Sequence, residues 1–205
     1  MRYIALSMKV LSVVVIIIFL SFILFAYMSY AANKKVERQQ YDVVKREDGF
    51  EIRFYPKAIM ATVSKPRQGE DPGANKNFRT LAGYIFGGNN AEKKIAMTAP
   101  VYMERDTNSN KMSFVLPSGY KMTDLPDPND TSIKLHYSDE GYFAALQFGG
   151  FAGESKIKRK EEELKELLHK KGYEVAGAFN YLGYNAPWDI INRENEIIVK
   201  VNYTK

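Results

Sequence analysis

The sequence predicts an α+β fold. Duplicated strand–helix–strand–strand halves share one strongly bent antiparallel sheet or barrel with two helices packed on it, preceded by an N-terminal transmembrane helix. Three observations carry this expectation. Short runs with alternating apolar residues recur between clusters of Pro, Gly, Asn and Asp. Two segments, near Phe78 and near Ile157, instead place apolar residues at helical spacing. Finally, VLSVVVIIIFLSFILFAYMSY runs from Val10 to Tyr30 without a charge, about the length a helix needs to cross a bilayer core of ~30 Å.

In chain order, residues 1–32 read as the membrane anchor or an uncleaved signal, and 33–40 as a polar tether. A cleavable signal is the rival reading, because Ser29-Tyr30-Ala31 offers small residues at a suitable spacing. Arg2 and Lys9 before the span and Lys34, Lys35 and Arg38 after it leave orientation nearly balanced. The expected arrangement is a single-pass membrane protein with its globular part, 41–205, outside the cytoplasm.

The globular part opens with a hairpin, Tyr41–Glu47 and Phe50–Tyr55, around Asp48-Gly49. A strand at Ala58–Ser64 follows. The helix at Ala74–Phe86 buries Phe78, Leu81, Ala82 and Ile85, and Gly87-Gly88 stops it. Strand-like runs come next at Ile95–Glu104, Lys111–Leu116, Ser132–Tyr137 and Tyr142–Phe148. The helix at Ser155–Lys171 carries Ile157, Leu164, Leu167 and Leu168 on one face. Glu161–Lys165 and Glu166–Lys170 serve as supporting pairs and Gly172 as its stop. Strands at Glu174–Leu182 and Asn195–Tyr203 close the chain. The order strand, helix, Ala-Pro, strand occurs twice, through Ala99-Pro100 and Ala186-Pro187. Lys94-Ile-Ala-Met-Thr-Ala-Pro-Val101 and Gly183-Tyr-Asn-Ala-Pro187 therefore read as matched bends, since Pro cannot donate to a sheet ladder.

Composition removes whole classes of function. The 205 residues contain no cysteine, which excludes disulfides, thiolate metal sites, thiol catalysis and covalent heme attachment through sulfur. A net charge of +5, with basic and acidic residues interleaved, is too small for a nucleic-acid footprint. Phosphate-binding glycine motifs, nucleophile elbows and zinc-protease motifs are absent from the sequence, and no enzyme activity is expected. Of the two histidines, His169 falls on the helix surface. His136 falls on the polar side of Ile133–Tyr137 and is the weak candidate for iron ligation.

The first helix holds the most suggestive surface. Lys76, Arg79, Thr80 and Gly83 lie opposite its apolar stripe, with Tyr84 and Phe86 flanking them. A mid-helix Gly costs about 1 kcal/mol against Ala. Here it leaves a shallow slot beside cations, suited to a flat apolar ligand bearing carboxylates, although a tolerated Gly on a solvated face explains the same residues.

Phe50-Glu-Ile-Arg-Phe-Tyr, Lys94-Ile-Ala-Met-Thr-Ala-Pro-Val, Phe148-Gly-Gly-Phe, Gly183-Tyr-Asn-Ala-Pro and Asn192-Arg-Glu-Asn-Glu-Ile together resemble the SOUL heme-binding protein family, from about Tyr41 to Tyr203. The resemblance implies a duplicated, distorted antiparallel β-barrel flanked by two helices that binds heme or other porphyrins non-covalently, and with the N-terminal apolar span the expected role is that of a carrier or buffer at a membrane. It implies a cleft at Lys76, Arg79, Gly83 and Tyr84, with a loop bearing Trp188 and Arg193 as its other wall. The partners implied are a tetrapyrrole and, through the N-terminal helix, a membrane. A proposed axial histidine of the family falls on Phe54, which cannot ligate iron. An interaction module for a lipid, peptide or small molecule is the alternative on the same fold.

Overall fold

The computed structural model describes residues 10–24, 36–66, 74–105, 109–186, 189 and 192–204. The chain divides into two units, Met1–Val36 and Glu37–Lys205. In the first, residues 10–24 form helix α1 with exposed apolar side chains. No helix among the described residues is long and apolar enough to cross a membrane. The expected crossing is thus not supported; its remainder, residues 25–30, lies outside the described residues.

The second unit contains β1 (Glu37–Arg38), β2 (Asp42–Arg46), β3 (Glu51–Tyr55), β4 (Ile59–Pro66), α2 (Ala74–Ile85), β5 (Thr98–Ala99), β6 (Val101–Glu104), β7 (Ser109–Val115), β8 (Ile133–Tyr137), β9 (Gly141–Gly149), α3 (Glu154–Lys171), β10 (Glu174–Val175), β11 (Asn180–Gly183) and β12 (Glu194–Asn202). The main sheet runs β2-β3-β9-β12-β11-β6-β7-β4-β8, with β10 added on β12. Its ladders are antiparallel. β2 and β8 end the path without pairing to each other, so the expected barrel is an open, curled half-barrel.

The duplication is visible in this order. Outward from the central β6–β11 ladder, β7, β4 and β8 on one side match β12, β9 and β3 on the other. Helix α2 lies between β4 and β5 in sequence as α3 lies between β9 and β10. The helices also stop alike. Gly87 N–H donates to Tyr84 O and Gly88 N–H to Gly83 O, as Gly172 N–H donates to His169 O and Tyr173 N–H to Leu168 O. Both are the paired bonds of a Schellman ending. Gly87 and Gly172 adopt φ of 111° and 73°, a region that favours glycine.

The two Ala-Pro bends are not equivalent, contrary to expectation. Pro100 precedes β6, whereas Pro187 follows β11, and Val101 pairs with Gly183. Pro187 lies outside the described residues, but Ala99 and Ala186 flank the same end of the central ladder, not positions the duplication would exchange. Pro100 does mark a bend: β5 pairs in parallel with β1, while β6 belongs to the main sheet. Part of the expected tether is thus a strand. The runs expected at Ile95–Glu104 and Glu174–Leu182 are each broken in two.

Alternation along the strands separates two faces. On one, α2 packs Leu81, Tyr84 and Ile85 against Ile59, Ala61, Val63, Met112 and Phe114. On the same face, α3 packs Ile157, Leu164 and Leu168 against Ile52, Leu146, Ile197 and Val199. Met103 touches both cores, opposite Tyr181. The anticipated pairs along α3 are replaced. Lys160 bonds Glu163 and Lys165 bonds Glu162, while Glu161 and Glu154 take Arg105 from the end of β6.

The β2–β3 turn is tied to the end of α3. Glu47 accepts from Lys45 (2.7 Å), Tyr173 (2.8 Å) and Lys171 (3.2 Å). Chiefly the Lys45 bond, then Tyr173, lower its carboxyl to about 2. An unfolded glutamate titrates near 4.3, so this contribution is complete above that pH and is lost as pH falls toward 2. Glu47→Gln should flatten the dependence of the urea midpoint on pH between about 5 and 2. An unchanged slope would show that the cluster does not couple to folding.

Candidate functional site

The outer face of α2 presents one stripe. Lys76, Arg79, Gly83 and Phe86 fall within an arc of roughly 80° at 100° per residue, and all are exposed. Neither Lys76 nor Arg79 has an ion-pair partner among the described residues, whereas Lys111 on the adjoining β7 is paired with Glu104. A Cβ added at Gly83 would meet nothing within 4 Å. Phe86 is 64% exposed. The stripe combines an apolar ring, bare backbone and two free cations, which suits a flat ligand with carboxylate substituents.

Tyr84 does not flank this face. It is 1% exposed, packed in the α2 core, and its hydroxyl donates to Pro126 O at 3.0 Å. Burial, then the charge of Asp127, push it up to about 12. Helical spacing puts it beside the buried stripe, and the η1 turn (Met122–Asp124) with the chain after it closes over that side. Phe86 occupies the flank instead.

The expected second wall is the loop between β11 and β12. It is braced by Ala186 N–H donating to the Asp189 carboxylate and Glu194 N–H donating to Asn185 Oδ1. Arg193 is half-buried. Its Nη1 donates to Asp189 O at 2.9 Å, and its guanidinium lies 4.8 Å from the centre of the exposed Phe151 ring. It therefore supplies a cation–aromatic surface rather than a free cation. Trp188 lies outside the described residues. At the position of the proposed axial histidine, Phe54 packs its ring 5.4 Å from Tyr142.

The opposite, helix-free face of the sheet holds a polar interior that the strand patterns did not disclose. Arg53 is 0% and Glu196 2% exposed. Arg53 Nη1 reaches both Glu196 oxygens at 3.0 Å and the Tyr55 hydroxyl at 3.2 Å, and its Nε reaches Glu51. Gln147 and Tyr184 complete the bonds to Glu196, and the Tyr41 ring lies 4.1 Å from the guanidinium. Burial opposes the charge on Arg53, but Glu196 and Tyr55 more than offset it. One sequence signal could have pointed here: Arg53 alternates with Ile52 and Phe54 and so faces away from the helices.

His136 also faces the helix-free side. Its Nε2 bonds Thr62 Oγ1 at 2.8 Å and its Nδ1 bonds Tyr137 O at 2.9 Å. Both ring nitrogens are occupied, and Thr62 in turn bonds Ser113. Iron ligation there would have to break this chain. Among the described residues, no group of three or more His, Asp and Glu side chains could hold a metal ion.

Two sets of variants test these assignments. A Cβ at Gly88 would lie 2.7 Å from Gly83 O, so Gly88→Ala should cost about 1–3 kcal/mol. Gly83→Ala should instead raise stability by up to about 1 kcal/mol. Reversed signs in urea unfolding would refute the α2 geometry. Arg53→Met leaves Glu196 buried without a countercharge and should cost about 3–5 kcal/mol. Adding Glu196→Gln should recover part of that loss; a double variant no better than the single one would contradict the pairing.

The family model of the SOUL heme-binding protein matches residues 36–200. Heme-binding protein 2 of Homo sapiens is 29% identical over 163 residues, covering 76% of this chain and 80% of that protein. Heme-binding protein 1 of Sus scrofa is 24% identical, covering 79% and 91%. Among solved structures, a Listeria innocua protein described as a hydrolase superposes with a TM-score of 0.54 at 12% identity. It covers 78% of this chain and 94% of that one, a likeness of fold alone. Most of the chain, including both packed helices and all of the curled sheet but the last two residues of β12, thus falls within one family match: the chain belongs to the SOUL heme-binding protein family.

Proposed function

We propose that this chain binds heme or another tetrapyrrole non-covalently on the outer face of α2, holding and releasing it without a chemical step. One observation carries the reading: Gly83 is open on a stripe where Lys76 and Arg79 are exposed and without an ion-pair partner among the described residues, and Phe86 offers a bare ring. The macrocycle lies against Gly83 and Phe86, where apolar area leaves water. Lys76 and Arg79 pair with its carboxylates through charge-assisted hydrogen bonds. The 184–194 loop, with Arg193 stacked on Phe151, is the second wall by analogy with the family. Membership in a heme-binding family supports the ligand class.

Phe54 removes the family's proposed axial ligand, and His136 faces the other side of the sheet with both ring nitrogens bonded. Recognition then rests on ring and carboxylates rather than on iron. Absorbance titration of the full-length protein should give saturable changes with both hemin and metal-free protoporphyrin, with affinities within about tenfold. Lys76→Glu with Arg79→Glu should weaken both by tenfold or more, about 1.4 kcal/mol. Unchanged affinity in the double variant would remove the ligand from α2. If neither compound gives a saturable change, tetrapyrrole binding itself is lost.

A further inference from the structure

We infer that the helix-free face of the sheet carries a second binding site, for uncharged aromatic molecules smaller than a tetrapyrrole. A cavity of about 250 Å³ opens on this face. Drug-sized ligands occupy pockets of roughly 300–1,000 Å³, so a macrocycle does not fit inside. Strand alternation also sets the cavity apart from the α2 stripe. Met60, Tyr102 and Ile198 point into it, while their neighbours Ala61, Met103 and Ile197 point into the cores beneath the helices.

The lining decides the ligand's chemistry. Tyr55 and Phe143 meet edge-to-face at 5.5 Å, and Tyr102, Met60 and Ile198 complete an apolar and aromatic wall. Aromatic rings favour offset or edge-on partners of the same kind. The charges at the rim are already matched. Lys111 bonds Glu104 at 2.7 Å and Lys200 bonds Asp139 at 3.0 Å. His136 has both nitrogens engaged.

Behind the wall, the Tyr55 hydroxyl accepts from Arg53 and the Tyr102 hydroxyl donates to Gln39. Glu196, buried nearby, is satisfied by Arg53, Gln147 and Tyr184. It has no capacity left for a cationic ligand. A charged molecule would have to break one of these pairs, whereas a neutral ring breaks none.

Indole, a neutral bicyclic heterocycle, is the probe. In full-length protein labelled with ¹³C at methionine methyls, indole should shift the Met60 signal saturably and leave Met97, in the α2 core, unmoved. Ala178 and Ala176 line the mouth and are exposed. Ala178→Trp should weaken binding by about tenfold or more while preserving the Met97 signal. Ala176→Trp serves if the first variant loses that signal. Bound hemin should not displace indole, and Lys76→Glu with Arg79→Glu should not alter its affinity. A Met60 signal that never saturates, or affinity unchanged in both tryptophan variants, overturns the site. Displacement of indole by hemin would merge it with the tetrapyrrole surface and equally overturn a separate site. Loss of hemin binding with indole binding intact would overturn only the α2 reading.

Discussion

The two halves of the sheet are held together through one ladder, four residue pairs from Val101–Gly183 to Glu104–Asn180. Every other long pairing joins strands within a half. Each half alone would leave an edge of unpaired backbone groups and an incompletely covered core. At the joint, Met103 packs against the cores of both halves, opposite Tyr181. A flexible thioether suits a place where two curled sheets meet and leave irregular space. Both helices consequently lie on one face, and the other is left to polar and aromatic side chains.

That second face constrains the fold in a different way. The Arg53–Glu196 pair spans β3 and β12, with β9 between them contributing Gln147. Burying both charges is expensive, and a well-packed apolar replacement is often neutral or stabilising. Its value lies in register. A one-residue slip of β3 or β12 would turn Arg53 or Glu196 toward the apolar core under α3. The segment just before β2 reinforces this arrangement: Gln39 accepts from Tyr102, Arg38 bonds Glu194, and Tyr41 covers the guanidinium. This explains why a stretch that reads as a polar tether is folded from Glu37 onward.

Much of this was legible because local rules governed it. The stripes at Phe78–Ile85 and Ile157–Leu168 and the glycines after them fix both helices, and Asp48-Gly49 fixes the hairpin. The failures occur where distant chain decides. Tyr84 looks like a flanking surface ring until the chain after β7 buries it. Glu161 looks like a partner for Lys165 until Arg105 arrives from β6. Two Ala-Pro pairs look symmetric because sequence shows order along the chain but not which end of a strand each occupies. For the candidate site, Lys76, Arg79 and Gly83 follow from helical spacing alone, whereas the packing of Arg193 on Phe151 depends on a contact between two separate loops.

The same geometry explains how α2 can combine a stable end with an exposed gap. Gly83 lacks a side chain on its outer surface, yet its carbonyl accepts the closing hydrogen bond from Gly88. The tight position is Gly88, where a side chain would strike that carbonyl; Gly83 itself is unconstrained by packing. Selection for helix stability alone would favour Ala at 83, since a mid-helix glycine costs about 1 kcal/mol. Gly83 thus weakens its helix, satisfies no steric demand and leaves a bare strip beside two cations that have no ion-pair partner among the described residues. The proposed ligand contact at that strip is in keeping with the chemistry of its neighbours and with the family to which the chain belongs.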